Sequence, residues 1–203
     1  MLLTPYAEGF AMGGGLIVAI GAQNAFVLTQ GVRNNRPLIV AALCILIDAA
    51  CISLGVSGVG TAVAANPKLG DIAAWGGAAF LLWYGWGSLR SMLSQDRLQA
   101  DAETADTLRR TIGMTLAVSL LNPHLYLDTV VLLGGVSGQY QTPARYVFGA
   151  GAITASVAWF LILTVGGRML APIFARSITW RILDGIICLT MWGIAAGLIR
   201  SAL

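Results

Sequence analysis

The chain has 203 residues, 57% of them hydrophobic and 10% charged, with a mean hydropathy of +0.79. A soluble domain of this length carries about a quarter charged residues, so composition excludes a soluble globular protein and points to an integral membrane one. The net charge of +3 comes from arginines flanking apolar segments and is no signature of nucleic-acid binding.

Six segments are long enough to cross about 30 Å of hydrocarbon at 1.5 Å per residue. They run roughly 7–30, 37–62, 70–92, 111–137, 144–167 and 182–201. The expected fold is all-α, integral to the membrane, with six transmembrane helices in one transporter domain spanning 1–203. In the first segment the uncharged run Gly9–Val32 exceeds a signal-peptide core and has no basic leader, so it reads as a retained helix. Glu8 is expected in its first turn, where a carboxylate complements the helix dipole. Gly9 and Gly13 form a small-xxx-small pair suited to close helix packing. Gln23 and Asn24 place two amides near the middle, where they are costly unless hydrogen-bonded; they either cross-link helices or hold a polar substrate.

The second segment contains one charge, Asp48, between Pro37 and Pro67. An ionised group at the bilayer centre costs roughly 3 kcal/mol on insertion scales. No Lys or Arg lies at comparable depth to neutralise it, so a structural ion pair is not expected. The third segment carries Trp75, Trp83 and Trp86, and a mixed-charge linker follows at about 93–110. The fourth holds Leu121-Asn122-Pro123-His124-Leu125-Tyr126-Leu127-Asp128-Thr129. Pro123 removes a backbone hydrogen bond and frees a carbonyl near residue 119. His124 and Asp128 share a face at i, i+4 spacing. A carboxylate and an imidazole beside a helix break suit cation binding or proton relay, and Asn122 can cap the break or touch a ligand.

In the last two segments Ser156, like Ser119 and Ser137, has no evident partner, and the sequence offers no nucleophile–base pair for an enzyme. Asp184 is expected in a first turn, paired with Arg181 at i, i+3. Gly193 and Gly197 form a second small pair, and such faces permit a homodimer without requiring one. Cys44, Cys51 and Cys188 all fall in apolar runs and read as small hydrophobes. No metal-ligand spacing is present, and no cofactor is expected.

Counting Lys and Arg by side places Arg33, Arg36, Arg90, Arg97, Arg109, Arg110, Arg168, Arg176 and Arg181 opposite Lys68, Arg145 and Arg200. The richer side is cytoplasmic by the positive-inside rule, so both termini are expected outside. Three segments per half give the halves opposite topology. Weak internal similarity (75–91 with 185–201, Gln23-Asn24-Ala25 with Leu121-Asn122-Pro123) suggests two inverted three-helix repeats, about 1–92 and 111–203.

Gly21-Ala22-Gln23-Asn24-Ala25-Phe26-Val27-Leu28-Thr29-Gln30-Gly31, then Asp48, the run Trp75–Tyr84, and Leu121 through Thr129 resemble the L-lysine/L-arginine exporter (LysE) family. The similarity covers essentially the whole chain, and the histidine resembles the arginine-exporter branch. The resemblance implies a multi-pass protein of the bacterial inner membrane that exports basic amino acids using the proton-motive force. It makes Asp48 and Asp128 the key acidic residues, with Asn24, Asn122 and Pro123 at helix breaks. Ala22 stands where the family usually has proline, so the first helix is either less sharply broken or bent at Gly21 alone; Asp184 is a second departure, at a position expected to be neutral. On this reading Asp48, Asp128, Asn24, Asn122, Gln23 and Tyr126 bind substrate, while Asp48, Asp128 and His124 couple protons. The alternatives are export of another small amino acid or cation, or a membrane scaffold that transports nothing.

Overall fold

The computed structural model describes residues 2–18, 21–58, 67–93, 107–173 and 177–201. All regular structure among them is helical. The helices are α1 (Leu3–Ile17), α2 (Ala22–Val32), α3 (Pro37–Ser57), α4 (Pro67–Leu93), α5 (Leu108–Leu120), α6 (Pro123–Tyr126), α7 (Leu133–Ser137), α8 (Ala144–Leu170) and α9 (Ser177–Ser201), with a π-helical stretch at Leu127–Leu132 between α6 and α7. Among the described residues, α3 and α8 are each long and apolar enough to cross a membrane. The pair α1 and α2, bent by 80°, and the pair made of α5 and the stretch to Ser137, bent by 61°, qualify if each is taken as one span. The structure therefore carries two to four spans by length and composition. The linker expected at 93–110 falls mostly on residues outside the described ones.

Local chemistry sets the helix ends. Arg36 takes left-handed geometry (φ 49°) and hands the chain to Pro37, which opens α3. Proline suits a first helical position because the amide it lacks has no intrahelical partner there. Gly58 ends α3 in left-handed geometry (φ 98°), a conformation that L side chains avoid. The segment expected at 37–62 is thus helical only to Ser57, and 59–66 lie outside the described residues. Thr107 caps α5 by accepting from the Arg110 N–H at 3.4 Å. Two expectations need correcting. Glu8 and Asp184 are not in first turns, because α1 begins at Leu3 and α9 at Ser177. Glu8 instead accepts a hydrogen bond from Tyr140 in the turn before α8, and the carboxylate raises the Tyr140 hydroxyl above its ordinary pKa. Asp184 accepts from Ser91 across the α4–α9 interface, and Arg181 donates to the Met92 carbonyl at 3.1 Å.

Lipid tails are as apolar as leucine, so membrane helices gain little from hydrophobic burial against one another and associate through close packing and hydrogen bonds. The most extensive helix pairs are α1 with α8 and α4 with α9. The α1–α8 seam is built from backbone. Gly9 faces the Phe148 carbonyl, Gly151 faces the Tyr6 carbonyl, and a Cβ on Gly13 would lie 2.9 Å from Ala152 Cα. Lower on α8, Gly167 meets Gly31 of α2, where an added Cβ would stand 2.9 Å from the Gly31 Cα. Gly193 and Gly197 differ, since open space lies beside both. The helix α8 thus packs against both halves of the bent first pair, and α3 lies against α2, α5, the π stretch, α7 and α8.

Two apolar clusters flank the middle of this assembly. One gathers Phe26, Val27, Val40, Cys44, Val118 and Phe160, and the other Ile52, Val56, Leu133, Phe148 and Ala152. A residue of α3 sits between Cys44 and Ile52, and one of α8 between Ala152 and Phe160. Those two residues are Asp48 and Ser156.

Gly13→Val inserts methyl groups into the seam, where overpacking costs about 1–3 kcal/mol. Gly15→Val in the same helix meets nothing within 4 Å. The first variant is expected to lower the thermal unfolding midpoint of detergent-solubilised protein, and the second to leave it near wild type.

Candidate functional site

Each bent pair opens where the chain leaves helical geometry. At the first break Gly21 is extended (φ −124°, ψ −179°) and α2 restarts at Ala22. The bend is sharp without a proline at 22. Asn24, in the first turn of α2, reaches back so that its Nδ2 donates to the Ile17 carbonyl at 2.7 Å. Its Oδ1 accepts from Trp159 Nε1 of α8 at 3.3 Å. At the second break Asn122 caps α6 by accepting from the His124 N–H at 3.2 Å. The Ser119 carbonyl accepts from the Asn122 N–H at 3.3 Å. Tyr126 donates its hydroxyl to the Leu120 carbonyl at 2.8 Å. At both breaks a side chain of the second half-helix therefore returns to a terminal carbonyl of the first. Unsatisfied main-chain groups in hydrocarbon cost several kcal/mol each, and these bonds remove part of that cost.

A cavity of about 190 Å³ lies where the two breaks face α3. Gly21, Gln23, Asn24, Asp48, Asn122, His124 and Asp128 all line it, with Leu16, Ile17, Leu125, Thr129, Phe160 and Ile194 supplying the apolar wall. Of the residues singled out from sequence, Tyr126 is not among those lining the cavity, and its hydroxyl is engaged at the break.

Asp48 is 2% exposed, near the midpoint of α3. Its Oδ2 accepts from Ser156 Oγ at 2.8 Å, while Oδ1 is buried with no hydrogen-bond partner. Gln23 beside it, 8% exposed, likewise has a buried Nε2 without a partner. Leaving a buried donor or acceptor unpaired costs about 1–3 kcal/mol, more for a charged group. The Gln23 amide and the Asp48 carboxyl are neighbours in this layer, and both residues line the cavity. Asp128 is half-buried and lines the same cavity from inside the π stretch, with His124 as its electrostatic neighbour. The Leu133 N–H bonds to the Asp128 carbonyl, the i to i+5 pattern of a π-helix. Such single turns recur at functional sites. Gly55 of α3 holds this stretch close, because a Cβ there would lie 2.5 Å from the Thr129 carbonyl oxygen.

Sequence reasoning missed Ser156 and Trp159. Each bonds to a partner more than 100 residues away, and nothing local in α8 marks them. Ser119 and Ser137 also have neighbours: Ser119 Oγ lies 3.9 Å from Cys44 Sγ, and Ser137 donates to the Gly134 carbonyl at 2.7 Å.

Two broken helices that gather carboxylates and amides around a cavity in an apolar helical protein describe a transport protein. Residues 15–202 match the LysE type translocator family, and the chain belongs to that family of multi-pass membrane transporters; it is not an enzyme. It is 41% identical over 195 residues to the arginine exporter protein ArgO of Serratia proteamaculans, covering 96% of this chain and 95% of that protein. The ArgO of Photorhabdus laumondii is 38% identical over 203 residues (100% and 98%), and that of Salmonella typhimurium 40% over 201 residues (98% and 95%). No solved structure matches the chain.

Tyr126→Phe removes only the hydroxyl that satisfies the Leu120 carbonyl. The expected result is a loss of about 1–3 kcal/mol in stability against denaturant in mixed micelles, and an unchanged unfolding curve would show that the break is closed by other means.

Proposed function

We propose that this protein exports arginine, and secondarily lysine or close analogues, from the bacterial cytoplasm across the inner membrane in exchange for protons. The observation that carries the reading is the cavity in which Asp48 and Asp128 face one another's helices beside Gln23, Asn24 and Asn122. Relatives named arginine exporters, aligned over nearly their full length, support the choice of substrate.

Arginine carries a net charge of about +1 at neutral pH, from a guanidinium that stays protonated and an amino and carboxylate pair that cancel. Asp48 and Asp128 supply counter-charge for the cationic groups. The Gln23 amide, with Asn122 and main-chain groups at the breaks, holds the carboxylate end. Asn24 keeps the first break in shape beside them, and Tyr126 the second.

Moving a cation out of a cell that is negative inside works against roughly 2.3 kcal/mol per charge per 100 mV. Inward movement of one proton cancels that electrical cost, and two would harness the potential. A carboxylate that alternately binds a proton and the substrate couples the two fluxes, because each occupant must leave before the other enters. His124 assists at Asp128, since imidazole changes charge near neutral pH.

In this reading the chain makes six crossings as two inverted three-helix repeats, with both termini outside. Each half supplies a bent pair (α1 and α2; α5 to α7), a straight helix (α3; α8) and a third helix (α4; α9). The corresponding helices α3 and α8 meet near their midpoints at Asp48 and Ser156, and α4 packs on α9. The open face at Gly193 and Gly197 leaves room for a second copy, so a homodimer belongs to the same reading.

Asp128→Asn is expected to accumulate normally in the membrane yet lose pH-dependent export. Asp48→Asn is expected to reduce arginine transport about 30-fold or more, the effect of losing one partner of a buried charged contact worth about 2 kcal/mol or more. Both are measured as radiolabelled arginine uptake into inverted vesicles under an imposed proton gradient, competed with a panel of amino acids. Normal proton-coupled uptake by Asp128→Asn would sink the coupling scheme.

A further inference from the structure

Serine and threonine in an apolar helix usually satisfy their hydroxyls locally, on the carbonyl one turn back. Threonines in this protein follow that habit: Thr154 bonds to the Ala150 carbonyl at 2.8 Å, Thr164 to Phe160 at 2.8 Å, Thr115 to Thr111 at 2.7 Å and Thr190 to Ile186 at 2.8 Å. Ser156 does not. Its fully buried hydroxyl crosses the α3–α8 interface to Asp48 Oδ2 at 2.8 Å. One turn of helix away on either side, Ala152 and Phe160 belong to the two apolar clusters, so the serine is the polar contact of α8 in that layer.

Three residues further along α8, Trp159 donates to Asn24 Oδ1. That contact fixes which way the amide points, because Asn24 Nδ2 is committed to the Ile17 carbonyl. A single turn of α8 thus grips one cavity-lining group on α3 and another on α2.

We infer that Ser156 and Trp159 are positioning residues of the transport site, with Ser156 holding the Asp48 carboxyl in place at the cavity in both of its charge states. The inference rests on the export reading above. A hydroxyl is both donor and acceptor. It donates to the ionised carboxylate and accepts from the protonated one, so the contact survives a cycle in which Asp48 gains and loses a proton. A lysine ammonium in its place, a charged group with donors only, would favour the ionised carboxylate over the protonated acid. Trp159 plays the complementary part, because an indole N–H can only donate, which suits a partner whose charge never changes.

The test uses the full-length protein in proteoliposomes. Ser156→Ala, Ser156→Cys and Ser156→Thr are compared for arginine transport, with Asp48→Asn alongside, and protein content is normalised. A hydrogen bond to a charged group corresponds to about tenfold in affinity. Ser156→Ala is therefore expected to raise KM for arginine about tenfold, and Ser156→Thr to restore it. Ser156→Cys, close to serine in size and a weak donor, should resemble alanine; it carries the test should the alanine variant fail to fold. Trp159→Phe, which keeps a ring and loses the donor, should raise KM by a smaller factor. Wild-type KM in both Ser156→Ala and Ser156→Cys while Asp48→Asn is inactive overturns the positioning role and leaves the export reading standing. Wild-type transport by Asp48→Asn overturns the export reading itself.

Discussion

Backbone polar groups released by a helix break must be satisfied inside the protein when the surroundings are hydrocarbon, and the arrangement of this molecule follows from that requirement. The break before Ala22 is closed by Asn24 on the Ile17 carbonyl, and the break before Pro123 by Tyr126 on the Leu120 carbonyl. Each closing residue needs a support. Asn24 has Trp159 of α8, and Tyr126 lies against Cys51 and Leu125 at the α3–α6 contact. The helices that support the breaks are therefore the helices that wall the cavity, and polar groups collect there because the break chemistry has already assembled them.

The two aspartates have different settings in this arrangement. Asp48 lies near the midpoint of a straight helix, with one oxygen bonded to Ser156 and the other buried without a hydrogen bond. Asp128 belongs to a π stretch, with wider turns and a carbonyl engaged at i+5. The cavity is thus lined by one carboxylate on a straight helix and one on a broken helix.

Much of this was legible from composition and punctuation. Asp48 and Asp128 stood out because each interrupts a long uncharged run, and the asparagine–proline pair marked a discontinuity that the backbone does show. Gly9 and Gly13 announced the close packing of α1, which the seam with Phe148 and Ala152 bears out. The π stretch was not legible, because Leu127–Leu132 contains nothing that distinguishes π from α geometry locally, and its close neighbour Gly55 is far away in the chain. Ser156 was invisible for a related reason: serine is ordinary in membrane helices, and only the three-dimensional pairing with residue 48 reveals that its hydroxyl has left its own helix. Gly193 and Gly197 looked like Gly9 and Gly13, yet face open space. Spacing alone does not say which glycine face meets a neighbour.

The seam between α1 and α8 has a bearing on how such a protein can change over generations. At Gly9, Gly13 and Gly151 a Cβ would run into the facing backbone, so those three positions have no smaller residue to exchange for. Variation in the seam runs in one direction, toward bulk, and each step forces the backbones apart. The cavity wall is different: Leu125, Phe160 and Ile194 are side chains that admit residues of several sizes. The molecule thus separates a part in which drift is punished from a part in which it is tolerated. The shape of the cavity can change while the packed glycine positions stay as they are.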